Sequence, residues 1–509
     1  MKMKWILAGL FFITVNAFAQ QNERPNIIFF FVDDLGWQDI SVPFWEKETE
    51  ANKRFRTPNL EKMAGQGMKF TSAYANAVCT PTRVSFLTGM NVARHKVSNW
   101  TMHKNTPTDA TDDPKLQAPD WNVNGVSATP GVERAVYATT LASLLKQQGY
   151  RTIHVGKAHW GAAGTPGAEP LNLGFDVNIG GTAAGQPGSF YGEKNYGNNP
   201  GSSNFRAVPN LGKYWGSDTY ITEAITLEAI REMEESRIAG KPFFLNMSQY
   251  AVHLPFEPDP RFSAHYKDLP AGEAAYATMV EGFDKSLGDL MDYLEKNDLQ
   301  NRTLIVFMSD NGGYTREPRM GPFDTQNSPL RNGKGSLFEG GIRVPLIVQW
   351  TGVVPAGTES RQIAHIHDFF PTLLEIAGLS KPHTIQVVDG KSLFPYFRDP
   401  ARQKKNTTQT WHFPNKWTPD RPDIPDTYVS WTSAIRKGDW KLIYYYRDAT
   451  MKLYNLAQDI GESRDLSTSR PGRAKHMVKR LRRELEKKGA QMPLDKMTGH
   501  PVPFPHFSK

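Results

Sequence analysis

A single cysteine, Cys79, occurs in 509 residues, so no disulfide can staple this chain internally. The apolar run Trp5 to Val15 is well short of the roughly 20 residues that a membrane-spanning helix needs. Helix-turn-helix, zinc-finger and RNA-platform signatures are missing. These gaps exclude a disulfide scaffold, stable membrane insertion and a nucleic-acid partner. Charge imbalance is local rather than general. The whole chain carries a net +8, whereas residues 401–509 hold 22 Lys and Arg against 11 Asp and Glu.

Residues 1–19 read as a secretory signal: basic Lys2 and Lys4, then the apolar stretch, then the small-x-small site Ala17-Phe18-Ala19. No cysteine follows that site, which argues against a lipid anchor. The expected mature chain is exported, with the periplasm as its expected destination.

Asn26–Val32 is a continuous apolar run, too short for a helix, and predicts a buried parallel strand. Tyr137–Gln148, Thr219–Glu235, Glu273–Lys296 and Asp368–Ala377 carry helical patterning. Arg151–Val155, Phe243–Met247, Thr303–Met308 and Pro345–Trp350 read as strands. This alternation predicts an α/β domain over residues 20–400, a large mostly parallel or mixed sheet sandwiched by helices. Ser433–Arg436, Trp440–Tyr446 and Lys452–Asn455 predict an antiparallel meander, followed by a basic helix around Arg473–Lys488. Residues 401–509 therefore form a smaller expected α+β subdomain. Its basic helix is either a solvated face or a surface that attracts polyanions. Asn105–Thr129 and Thr165–Pro209, rich in Gly, Pro and Asn, read as functional loops.

The chemistry collects where strands end, as it does in parallel α/β sheets. The first strand runs into Asp33-Asp34, and Thr303–Met308 runs into Ser309-Asp310-Asn311-Gly312-Gly313. Adjacent carboxylates repel unless a cation lies between them. Three carboxylates and an amide oxygen suit a hard divalent cation, Ca²⁺ or Mg²⁺, rather than zinc. Other strand ends supply Lys157 and His159, then His253, and a glycine-rich loop supplies Lys334. Cys79 opens the run Cys79-Thr80-Pro81-Thr82-Arg83, where Pro81 and Thr82 suit a first helical turn. A sulfur at a helix N-terminus with Arg83 one turn on stands in a nucleophile's position. Convergence of these groups predicts a pocket for a tetrahedral oxyanion.

Cys-Thr-Pro-Thr-Arg resembles the Cys-x-Pro-x-Arg signature of the formylglycine-dependent sulfatases of the alkaline phosphatase superfamily. Gly-Lys-Ala-His, His253-Leu254-Pro255, Asp-Asn-Gly-Gly and Glu339-Gly-Gly-Ile-Arg-Val-Pro join it in the family's order, over roughly residues 24–470. The leader, with Gln20 after the cleavage site, is similar to those of secreted glycan sulfatases of Bacteroidetes. The resemblance implies an alkaline phosphatase-like fold and oxidation of Cys79 to Cα-formylglycine by a separate maturation enzyme. It also implies one Ca²⁺ held by Asp33, Asp34, Asp310 and Asn311 with the matured residue 79. Arg83 and Lys157 would steady residue 79, Lys157 and Lys334 would neutralise the sulfuryl oxygens, and Asp310 would take the nucleophile's proton. His253 would protonate the leaving sugar oxygen and His159 would act during sulfate release, although either imidazole suits the bridging oxygen.

Aromatic residues make up 11% of the chain, which fits a sulfated carbohydrate substrate, because aromatic faces stack on sugar rings. Trp100–His103, Trp121 and Gly180–Tyr196 are the expected sugar contacts. The alternatives are a phosphodiester or phosphonate hydrolase of the same superfamily, and a non-catalytic glycan-binding protein.

Overall fold

The computed structural model describes residues 24–199, 201, 204–314, 327–404, 406–417 and 430–507. The expected leader, 1–19, lies outside them. Strands β1 (Asn26–Val32) and β2 (Met68–Phe70) precede helix α1 (Cys79–Thr88). Next come α2 (Leu141–Gln147), β3 (Arg151–Gly156), β4 (Val177–Ile179) and α3 (Ile221–Ile238). The chain continues through β5 (Phe243–Ser248), α4 (Ala271–Lys296) and β6 (Thr303–Ser309). Then follow β7 (Leu346–Gln349), β8 (Thr358–Ser360) and α5 (Phe369–Ile376). These strands form one eight-stranded sheet in the order β8-β2-β7-β6-β1-β5-β3-β4.

Every residue of β1 is buried because both faces of the sheet are covered. Ile28, Phe30 and Val32 join the cluster formed with α3 and α4. Ile27, Phe29 and Phe31 point to the opposite cluster, with Phe86 of α1, Leu145 of α2 and Phe369 of α5. The continuous apolar run is thus two alternating faces, each with its own layer of helices.

β6, β1, β5, β3 and β4 run parallel, as the alternation of strands and helices predicts. β7 departs from that rule and pairs antiparallel with β6. Among the described residues between β6 and β7 the only helix is the single turn Glu339–Ile342. With β7 antiparallel, the sheet is mixed.

Beyond residue 400 the chain forms a separate four-stranded antiparallel sheet of β9 (Thr408–Phe413), β10 (Thr432–Lys437), β11 (Trp440–Tyr445) and β12 (Thr450–Asn455). The last three answer the expected meander, while β9 is an addition. Helix α6 (Pro471–Lys488) lays Ala474, Met477, Val478, Leu481 and Leu485 on the outer face. Its charged residues face outward, a stripe-and-face pattern that the sequence carries. The inner face is also apolar: Trp411, Ala434 and Ile443 pack with Tyr74, Val78, Phe338 and Ile342 of the larger sheet's surroundings.

Candidate active site

Strand register builds the centre of the site. Val32 pairs with Ser309, so Asp33 and Asp310 leave the sheet side by side. Gly156 pairs with Ser248 on the neighbouring strands, which places Lys157 at the same edge. Gly156 has φ 91°, and a Cβ there would meet the Ser248 carbonyl oxygen at 1.8 Å. Only glycine fits that position. Asp34 and His159 also adopt left-handed backbone, at φ 60° and 52°. Such conformations persist where the surroundings over-determine them, and they gather at functional sites.

Cys79 is the first residue of α1, and its side chain is 3% exposed. Its sulfur and one oxygen each of Asp33 and Asp310 all lie within 4.8 Å of one another. Arg83, one turn along, donates from Nε to Asp310 Oδ2 at 2.9 Å and from Nη1 to the Lys157 carbonyl at 2.8 Å. Lys157 Nζ donates to Asp33 Oδ2 at 2.5 Å, and Lys334 Nζ reaches Asp34 at 2.7 Å. Asn311 donates its amide to Asp34 Oδ1 at 2.7 Å. Asp33 Oδ1 and Asn311 Oδ1 are buried without a hydrogen-bond partner, two oxygens available to a cation.

Electrostatics follow from burial among many charges. Burial and the neighbouring Asp310 push Asp33 well above the usual carboxylate range, against the pull of Lys157. At Asp310 burial also pushes upward, but Arg83 and Lys157 outweigh it and hold the carboxyl below its usual value. Burial raises the Cys79 thiol, with Lys157 and Lys334 opposing. Burial and the same lysines push both His159 and His253 far down, so both are neutral imidazoles here. His159 Nε2 donates to the Thr101 carbonyl at 2.9 Å, leaving a buried, unpartnered Nδ1. His253 Nδ1 donates to the Leu254 carbonyl at 3.1 Å, and its Nε2 stands 3.5 Å from Asp34.

The residues that the sequence singles out for catalysis and metal binding all gather at this sheet edge. Above them opens a pocket with about 740 Å³ of open space, lined by Cys79, His159, His253 and Lys334. Trp100, Thr101, Met102, Gly185 and Gln186 of the expected sugar-contact loops line it as well. Trp121 does not: it is 1% exposed and donates its indole N–H to Asp109 at 2.7 Å. Phe205, Arg206, Tyr314 and Trp417 line the pocket without having been singled out in the sequence. Phe205 and Arg206 sit inside the irregular stretch 165–209, so its composition was the available signal. Ser248, 3.2 Å from Arg83 Nη1, was also missed, although it ends a parallel strand.

Fold and pocket define a hydrolase of tetrahedral oxyanion esters, built like alkaline phosphatase. The family model Sulfatase matches residues 25–379, and that of the N-sulphoglucosamine sulphohydrolase C-terminal region matches residues 333–491. A sulfatase of Formosa agariphila is 28% identical over 554 residues, covering 99% of this chain and 97% of its own. The N-acetylgalactosamine-6-sulfatase of Canis lupus familiaris is 31% identical over 383 residues, 73% of this chain and 66% of its own. The crystal structure of Ps i-CgsB superposes with a TM-score of 0.68 at 26% identity, over 91% of this chain and 92% of that one, and has also been solved with k-i-k-neocarrahexaose. The chain belongs to the sulfatase family and is a sulfuric ester hydrolase.

Proposed function

We propose that the protein removes sulfate from a sulfated carbohydrate, with Cys79 matured to Cα-formylglycine by a separate enzyme. We further propose that one Ca²⁺ is held by Asp33, Asp34, Asp310 and Asn311 with the matured residue 79. One observation carries this reading: the Cys79 sulfur lies within 4.8 Å of two carboxylates and lines the pocket. Calcium takes oxygen ligands, and two unpartnered buried oxygens stand in this cluster. The thiol is the one ill-suited donor there, and an oxygen in its place makes the set uniform. Because residue 79 is buried, its conversion precedes closure of the fold.

The ion, when bound, polarises the sulfate and favours the ionised nucleophile. The hydrated aldehyde supplies a hydroxyl for attack and a second through which sulfate is later released. The chain's own residues do the rest. Arg83 orients Asp310 through a two-nitrogen contact, and Asp310, ionised at neutral pH, takes the nucleophile's proton. Lys157 and Lys334 neutralise the sulfuryl oxygens as charge redistributes. The entering sulfate adds negative charge beside His253 and favours its protonated form, which donates to the leaving oxygen. His159 offers its free Nδ1 lone pair during sulfate release.

Trp100, Phe205 and Trp417 offer ring faces to a sugar, while Gln186 and Arg206 offer polar contacts. The N-acetylgalactosamine-6-sulfatase relative and the neocarrahexaose complex support a carbohydrate substrate. The reading includes export to the periplasm after removal of residues 1–19, with catalytic residues 20–400 and subdomain 401–509. A panel of sulfated mono- and disaccharides, beside a phosphodiester and a phosphonate monoester, tests it. Sulfate release from sugars, abolished in Cys79→Ala, is expected, and intact mass should show the thiol-bearing methylene replaced by an aldehyde. Faster cleavage of the phosphonate than of every sulfate ester overturns the reading.

A further inference from the structure

A second large concavity, open to solvent, lies past the far end of α1 and spans about 1710 Å³. It separates the loop around Val387–Tyr396 from β9 and the last turn of α6. At 1.5 Å per helical residue, α1 alone sets it roughly 15 Å from Cys79. Cations dominate the lining: Arg94, Lys391, Lys404, Arg480, Lys487 and Lys488.

The carboxylates in the cleft are already engaged. Arg94 holds both oxygens of Asp389 at 2.8 Å, and Lys488 holds Glu484 at 2.9 Å. Asp368 accepts backbone N–H groups from Lys391 at 2.8 Å and His365 at 2.9 Å. Lys391, Lys404 and Lys487 have no ion pair among the described residues. They rise from three separate segments: the loop after α5, the approach to β9, and the end of α6. His367, 2% exposed, lines the same cleft, and its Nδ1 has no hydrogen-bond partner. Burial first, then Lys488, His95 and Lys391, hold this imidazole down to about 3, so it stands neutral among lysines. Ammonium groups without carboxylate partners, facing one cleft from three segments, are arranged to receive anions, and the neutral His367 ring lies beneath them, its Nε2 3.7 Å from Asp368.

We propose that this cleft is an ancillary binding site for a sulfated polysaccharide chain, with Lys391, Lys404 and Lys487 contacting its sulfate groups. Lysines on three segments suit a polymer bearing several anions better than one small ion. The choice of occupant rests on the carbohydrate reading given above. The basic C-terminal helix thereby divides: its last turn serves the cleft, while the remaining exposed cations form a solvated face. Polymer held there keeps the enzyme on its substrate without touching the reacting groups.

Affinity electrophoresis of the full chain through gels containing chondroitin sulfate or ι-carrageenan tests the proposal. Wild type and Cys79→Ala should be equally retarded by at least one polymer, and neither by unsulfated chondroitin. Lys391→Glu/Lys404→Glu/Lys487→Glu should weaken retention by about tenfold or more. The milder Lys→Gln triple should move in the same direction and decides the question if the Glu triple does not fold. Lys475→Glu/Lys479→Glu/Arg483→Glu, on the exposed remainder of α6, should retain binding. Absence of retardation in wild type, wild-type retention by the cleft variants, or equal loss in the α6 control each overturns the proposal. Hydrolysis of a small aryl sulfate should be unchanged in the cleft variants. Absence of sulfate release from every sulfated sugar in wild type, with retention behaving as expected, refutes the carbohydrate reading while leaving the cleft standing.

Discussion

Lys441 and Glu339 form an ion pair at 2.9 Å with neither side chain exposed to solvent. Lys441 sits on β11, and Glu339 follows the loop that carries Lys334. The same ammonium lies 2.9 Å from Glu462, while Glu339 also accepts from the Tyr74 hydroxyl at 2.6 Å and from Arg343 at 3.1 Å. A buried charge network therefore bolts the C-terminal sheet to the segment beside Lys334.

Lys441→Met leaves Glu462 buried without its cation and Glu339 with Arg343 alone as a direct ion-pair partner. Removing one partner of a buried pair costs about 3–5 kcal/mol. Urea denaturation should show a loss of that order, with lowered activity at temperatures where the variant is still folded. A change below about 1 kcal/mol, the value of an exposed pair, refutes the bolt.

The network also makes stability depend on acid. Burial works against the charge on Glu339, but Lys441, Arg343 and Arg436 outweigh it and hold the carboxyl down to about 2. Its folded value is thus lower than its unfolded one. The contribution is complete above the unfolded pKa near ~4.3 and is lost as pH falls toward the folded value. Glu339→Gln should flatten the acid limb of a Tm-against-pH plot between those limits. An unchanged limb contradicts the assignment.

Calcium should stabilise the native chain because the ligands proposed for it are assembled only on folding. Free ion at 100 times its Kd adds about 2.7 kcal/mol. Differential scanning calorimetry with EDTA, then with Ca²⁺ restored, should show Tm falling and recovering together with sulfatase activity. The Asp33→Asn/Asp310→Asn variant should lose the calcium response.

His253→Ala should lower kcat on sugar sulfates by about 10²–10⁴, the usual value of a positioned proton donor. An aryl sulfate whose leaving phenolate needs no proton should suffer far less. Equal losses on both substrates assign His253 to positioning rather than protonation.

The central parallel strands β1, β5 and β6 were legible because each is buried on both faces, which leaves an unbroken apolar run such as Asn26–Val32, whereas the half-buried edge strand β4 was not. Strand direction was not legible either, since residue pattern is identical for either sense, and β7 turned out antiparallel. The helix expected from Tyr137 begins at Leu141: Val136–Tyr137 pair with Val126–Ser127, and Thr140 caps the helix by accepting from Ser143. Thr408–Phe413 escaped notice because its six residues mix polar and aromatic types without an apolar run. The residues proposed for catalysis stood out because strand ends concentrate polar groups that a core would reject. The pocket walls did not: Phe205, Arg206 and Trp417 come from stretches without periodicity, and tertiary placement alone unites them. Trp121 illustrates the converse, a ring whose N–H found its acceptor inside.

The inner face of the C-terminal sheet has a consequence for how this architecture can diversify. Trp411, Ala434 and Ile443 back directly onto the neighbourhood of Val78 and Phe338, so exchanging that sheet wholesale would misalign the helix that presents residue 79. The outer layer meets the larger domain through fewer apolar residues, among them Ala93 and Leu116. Loops and cations there can be rebuilt to grip new polymers while the bond-breaking apparatus stays untouched.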